Sequence, residues 1–209
     1  MISLIIIVIF AGIGYIKNKT DTPNGIDISN WNNVCWNCIA KDSNIQFCYI
    51  KATDGRTFKD KKCLENVKQA KKINLKIGLY HYFRTNASAL NQFNNFKSIH
   101  DKVNTDLIPV IDVESNGNNY GNTEKVNKEL SELIELYHKE FGCYPIIYIG
   151  NLEVIKLSAI FKCPIWIRCI GFAGILPDFT IKQIAVKKAG HNYLDFNYAS
   201  DISKLYKPY

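Results

Sequence analysis

No block of like charge runs through this chain, no segment repeats, and no stretch is of low complexity. A phosphate-binding glycine loop, zinc-finger spacing and RNA-binding motifs are also missing, which sets aside the nucleotide-binding and nucleic-acid-binding classes. Cys35-x-x-Cys38 has no second pair, and His81, His100, His138 and His191 stand at no zinc-ligand spacing, so no metal is expected. What is present is ordinary globular material: 47% hydrophobic residues in 209, enough to bury one core. The formal charge of +7 is scattered in pairs such as Lys71-Lys72 and Lys187-Lys188. Such a surface helps approach to an anionic polymer without naming one.

Residues 1–16 are apolar apart from Ser3 and stop at Lys17-Asn18-Lys19. A run of this length stands between a signal-peptide core and a short spanning helix. Gly12 and Gly14 suit a cleavage site, whereas the absence of a basic residue before the run suits an uncleaved anchor. Lys17 and Lys19 on the far side oppose export by the positive-inside rule, but two charges are a weak opposition. The expectation is a secreted or membrane-anchored protein with its domain outside the cytoplasm, met by a membrane only through residues 1–16. Seven cysteines agree with an oxidising compartment, and their odd number leaves at least one unpaired in a monomer. Cys48 and Cys169, in strand-like runs, are the expected buried free thiols.

From residue 25 onward short apolar runs alternate with amphipathic ones. Strands are expected at 25–29, 47–52, 77–82, 108–113, 145–149, 165–169, 181–186 and 193–197. Helices are expected at 61–73 (Leu64, Val67, Ala70), 87–99 (Leu90, Phe93, Phe96) and 123–141 (Val126, Leu130, Leu133, Ile134, Tyr137), the last opening at a Thr123 cap and stopping at Gly142. Strand-helix order implies a parallel sheet, and eight strands imply closure into an α/β barrel of the TIM type. The last three connections are too short for full helices, so the helical coat is reduced. The organisation expected is a leader over 1–19, a linker over 20–24 and one domain over 25–209.

The most informative run is Pro109-Val110-Ile111-Asp112-Val113-Glu114. Side chains alternate along a strand, so Asp112 and Glu114 share a face roughly 7 Å apart at about 3.3 Å rise per residue. Two carboxyls on one low-dielectric face resist ionising together, as acid/base work on a glycosidic bond requires. The plain alternative is two acids ending a strand in solvent. Other strand ends weigh against it: Asp27, Asp54, Tyr80 and Tyr82, Tyr148, Trp166, Gln183 and Asp195 all fall where barrel strands meet their loops. Singly, Trp166 reads as core, His81 as a satisfied interior imidazole, and Asp27 and Asp195 as turn residues.

Six motifs in order, Gly25-Ile26-Asp27-Ile28-Ser29, Tyr49-Ile50-Lys51-Ala52-Thr53-Asp54-Gly55, Gly78-Leu79-Tyr80-His81-Tyr82-Phe83, Pro109 to Glu114, Tyr144-Pro145-Ile146-Ile147-Tyr148 and Leu194-Asp195-Phe196-Asn197, resemble glycoside hydrolase family 25, the Chalaropsis-type lysozymes. The resemblance spans residues 24–197. It implies a modified eight-stranded barrel and hydrolysis of the β-1,4 bond between N-acetylmuramic acid and N-acetylglucosamine in peptidoglycan, with no cofactor and a monomeric enzyme. It makes Glu114 the general acid, Asp112 the carboxylate beside it, and Asp27 and Asp195 the further acids. Tyr80, Tyr82, Tyr148, Trp166, Asp54 and Gln183 become substrate contacts. It also implies retention of configuration, with the substrate's acetamido group attacking while Asp112 steadies it.

Several positions depart from that pattern. Asp54 stands where Glu is usual, Asn30-Trp31-Asn32 where His and Gln are common, and Lys182-Gln183-Ile184 where Trp-Gln-Tyr is expected. The run Ile165 to Ile170 lacks an Ala-Arg-Tyr ending. These changes keep open an alternative, a glycan-binding or envelope protein of weak activity on the same scaffold. A chitinase would need a third acid before Asp112, where Val110 stands.

Overall fold

The computed structural model describes residues 21–150, 157–170, 180–189 and 192–208. The apolar segment 1–16 lies outside them, and no helix among the described residues is long and apolar enough to cross a membrane. The strands are β1 (Gly25–Ile28), β2 (Phe47–Asp54), β3 (Phe58–Lys59), β4 (Lys76–Tyr82), β5 (Val110–Val113), β6 (Ile146–Ile149), β7 (Ile165–Arg168), β8 (Ile181–Ala189) and β9 (Asn192–Tyr198). Between them lie α1 (Trp36–Ile39), α2 (Cys63–Lys72), α3 (Ala89–His100) and α4 (Thr123–Phe141). Eight strands close a barrel in the order β1-β9-β8-β7-β6-β5-β4-β2, with β1 pairing β2 to complete the ring; β3 is a hairpin arm on β2.

The sheet is mixed rather than all parallel. β9 runs antiparallel to both β8 and β1. A parallel return needs a crossover of a dozen or more residues, and the short link between β8 and β9 allows only a hairpin.

Inside and outside follow the alternation of each strand. Ile26, Ile28, Cys48, Ile50, Ile77, Leu79, Ile111 and Ile147 point outward into the layer under the helices. Phe47, Tyr49, Val110, Ile146, Tyr148, Trp166 and Ile181 fill the interior. Glycines make room for the largest of these: a Cβ on Gly25 would strike the Phe47 ring, and one on Gly78 the Tyr49 ring. The floor is thus packed shut, and polar chemistry is confined to the mouth.

Each helix buries one stripe. In α4 it is Val126, Leu130, Leu133, Ile134 and Tyr137, as the spacing predicts. Asn122, not Thr123, caps it by accepting from Lys125 N at 3.0 Å, and Gly142 ends it at φ 70°. In α2 and α3 the first apolar residue expected in the core, Leu64 and Leu90, faces water instead. Polar residues hold inner positions there: Asn66 in α2, and Gln92 and Asn95 in α3. The α3 amides are used. Asn95 Nδ2 donates to Gly55 O and Phe58 O (2.9 and 3.0 Å), and Gln92 Nε2 donates to Arg84 O and Ala87 O (3.1 and 2.9 Å). Two rim loops are tied to the helix in this way. Cys35 and Cys38 form a disulfide; Cys48, Cys63, Cys143, Cys163 and Cys169 are free thiols, with Cys48 buried and Cys169 only half-buried.

Candidate active site

A cavity of about 250 Å³ opens at the barrel mouth. Asp27, Asp112, Glu114 and Asp195 all line it, contributed by β1, the end of β5 and β9. Barrel closure brings the first and last of them together: Asp27 and Asp195 are direct partners across the β1–β9 ladder. Asp112 pairs laterally with Tyr82 on one side and Tyr148 on the other, and Tyr148 in turn with Trp166. Tyr80, Tyr82, Tyr148, Trp166 and Gln183 also line the cavity.

Each acid is differently supported. Asp27 Oδ2 accepts from Asn197 Nδ2 at 2.8 Å, and Asn197 Oδ1 accepts from Trp166 Nε1 at 3.1 Å, so the buried indole fixes the amide that holds the carboxyl. Asp112 Oδ1 is buried and has no hydrogen-bond partner. Glu114 rests over Gly150, whose missing side chain is its seat: a Cβ there would stand 2.6 Å from Oε1 and 2.8 Å from Cδ.

Burial raises all four carboxyls above their ordinary range. For Asp112 the next cause is Glu114, and for Asp27 it is Asp195, so the acids hinder one another's ionisation. Tyr148, Arg168 and Lys51 pull Glu114 back down. The cluster therefore holds protons at a pH where isolated carboxylates have lost them. The Tyr148 hydroxyl itself donates to Gln183 Oε1 at 2.7 Å.

Two of the expected substrate contacts are placed differently from the rest. Trp166 is floor rather than wall, 2% exposed and packed against Tyr49 and Tyr148 at 5.3 and 5.2 Å between ring centres. Asp54 does not line the acid cavity. It turns to Arg84, accepting from Nε at 2.6 Å and Nη2 at 2.8 Å, and to Lys51 Nζ at 3.3 Å. Burial works to raise its carboxyl, but these two cations outweigh that and hold it below the usual range.

Sequence reasoning did not single out Lys51, Ser29 or Asn116, which line the cavity along with the altered rim residue Trp31, nor the positioning groups Asn197 and Gly150. Lys51 was legible, since it shares a strand face with Phe47 and Tyr49; Gly150 left no signal beyond following β6. His81 is the satisfied imidazole of the plain reading, between Thr53 Oγ1 at 2.7 Å and Gln92 Oε1 at 3.2 Å on the outer side of β4.

No cluster of three or more His, Cys, Asp or Glu able to hold a metal occurs among the described residues. Fold and cavity together define a modified β/α barrel with a carboxylate-lined mouth. Residues 26–173 match the family model described as glycosyl hydrolases family 25, and the chain belongs to that family.

Among its relatives, "Uncharacterized protein YegX" of Escherichia coli strain K12 is 34% identical over 134 residues, 62% of this chain and 48% of that protein. "Lysozyme M1" of Streptomyces globisporus is 37% identical over 71 residues, 34% of this chain and 24% of that protein. The chain thus spans half or less of the length of these curated relatives. A solved family 25 glycosyl hydrolase from Bacillus anthracis superposes with a TM-score of 0.76 at 28% identity, covering 91% of this chain and 94% of the other.

Proposed function

We propose that this protein is an N-acetylmuramidase that cuts the β-1,4 bond between N-acetylmuramic acid and N-acetylglucosamine in peptidoglycan. The observation that carries the reading is the convergence of Asp27, Asp112, Glu114 and Asp195 from distant strands on one cavity. Membership of a glycosyl hydrolase family supports it.

Glu114 is the general acid, donating its proton to the glycosidic oxygen as the C1–O bond breaks. The substrate's acetamido oxygen closes on C1, and its N–H is received by Asp112. The unpartnered Oδ1 of Asp112 suits that role, because it is an acceptor awaiting a donor. A donor arriving there favours the charged form of Asp112 and leaves the proton with Glu114. Water then attacks C1, giving its proton to the Glu114 carboxylate, while the acetamido ring reopens and its nitrogen keeps or regains from Asp112 the proton shared there. Asp27 and Asp195 orient the sugar, and Tyr80, Tyr82 and Tyr148 offer ring edges and hydroxyls to it.

The test is clearing of a cell-wall suspension by the purified protein and by Glu114→Gln. Clearing by the first, reduced about 10²-fold or more in the second, is expected. Equal clearing removes Glu114 from the chemistry, and none by either turns the site into a glycan holder.

A further inference from the structure

Beside the acid cavity lies a second one, of about 380 Å³, lined by Asp54, Gly55, Arg56, Thr57, Arg84 and Gly117 among others. The two share a wall. Tyr82 and Asn116 face the acids, while Arg84 and Gly117 face the second space. The wall is tightly bonded: Tyr82 Oη and Arg84 Nη1 both donate to Asn116 O at 2.9 Å, and the guanidinium lies 4.4 Å from the Tyr82 ring centre.

This second cavity is built rather than incidental. Gly55 and Gly117 both have positive φ, 53° and 70°, and side chains at either position would collide with Arg84. From beneath, the buried Asn95 and Gln92 amides pin the Gly55–Phe58 turn and the 84–87 turn. Its charge is opposite to that of its neighbour. Arg56 is exposed in the turn and Arg84 stands opposite Asp54, the sole carboxylate of the lining among the described residues, which Arg84 and Lys51 already pair.

An ionised carboxyl among the four disfavours an anionic group of a ligand in the first cavity, whereas the second offers the exposed Arg56, which has no carboxylate partner among the described residues. We propose that the Arg56–Arg84 cavity is an anion subsite that receives a carboxylate carried by the muramoyl unit, either on the lactyl ether or on its attached peptide. The inference rests on the peptidoglycan reading above and deepens it. It supplies what the acid cavity does not, a means to prefer muramoyl glycans over uncharged N-acetylglucosamine polymers. Arg56 is the residue to change, because Arg84 also holds the wall.

Binding is measured by calorimetry on Glu114→Gln and on the double variant Glu114→Gln/Arg56→Gln. The ligands are three soluble glycan fragments: peptide-bearing, peptide-stripped with free lactyl carboxylates, and stripped with those carboxylates reduced to alcohols. Arg56→Gln is expected to weaken binding of a carboxylate-bearing fragment roughly fivefold and leave the reduced fragment as it was. The lactyl carboxylate is tied up as an amide wherever the peptide is attached, so loss confined to the peptide-bearing fragment identifies a peptide carboxylate, loss confined to the stripped one identifies the lactyl group, and loss on both but not on the reduced fragment identifies a site that takes either. Equal weakening on all three fragments, or on none, overturns the subsite while leaving the hydrolase reading intact. Fragments bound with the expected discrimination but left uncut by the wild-type protein overturn the hydrolase reading and not the subsite.

Discussion

Asp112 and Glu114 carry opposite demands on the same few ångströms. On the proposed mechanism Asp112 works charged and Glu114 works protonated, and burial opposes the charge on either. Burial lifts the folded-state pKa of Asp112 above its unfolded value, so its ionised form costs stability, and that cost is relieved as pH falls through the raised pKa. Asp112→Asn should therefore raise Tm at neutral pH by a few degrees while abolishing most turnover, as measured by calorimetry and product release. A lower Tm would mean that the carboxylate is held by partners the structure does not show.

Gly150 makes a sharper prediction. The backbone there admits alanine, but the new methyl group would occupy the place of the Glu114 carboxyl. Gly150→Ala should reduce kcat by about 10–100-fold with little change in KM, since displacement of a reacting group by about 1 Å has that scale of effect. Unchanged kcat would show that Glu114 works from another rotamer. Lys51 acts on the same acid through charge. It pulls Glu114 downward against burial, so Lys51→Met should move the alkaline limb of the kcat/KM profile to higher pH. A limb that stays in place would mean that a different group supplies the proton.

Among elements, α3 and β4 join the site to the fold's acid sensitivity. His81 on β4 is buried between Thr53 and Gln92, and burial lowers its pKa to about 4. The unfolded chain takes up a proton below pH 6.5 that the native protein refuses, so stability falls between pH 6.5 and about 4 and levels off below. The span is about 3 kcal/mol at 1.36 kcal/mol per unit. Denaturant midpoints across that range should follow the slope in the wild-type protein and flatten in His81→Phe, which is less stable at neutral pH because Thr53 and Gln92 lose a partner. An unaltered slope would place the sensitivity elsewhere. The acid cluster works in the other direction, so the His81 variant is the clean comparison.

Element positions were largely legible because alternation and helical spacing are local. α4 begins and ends where its pattern does, and Val126 to Tyr137 form its buried stripe. What local pattern could not supply is direction and pairing. The antiparallel β9 follows from a short link, and Asn95 and Gln92 look like surface residues until the loops that they hold are in place. At the site, alternation alone put Asp112 and Glu114 on one face, yet nothing local brings Asp27 beside Asp195. That pairing is a product of barrel closure.

At the scale of the molecule, a packed floor of Phe47, Tyr49, Ile146 and Trp166 fills the interior and leaves polar work to the mouth. Closure through β1 then assembles the acids, and the basic cavity beyond Tyr82 adds a region of opposite sign. The altered rim positions leave this ground plan untouched: Trp31 remains at the cavity edge, 84% exposed, and Gln183 remains in its lining. The most direct measurement is reducing-end analysis of peptidoglycan digested by the purified protein. New reducing ends should be muramic acid, with configuration retained at the moment of release, and should vanish in Glu114→Gln. New ends on glucosamine, or the same yield from the variant, would contradict cleavage by this acid cluster at this bond.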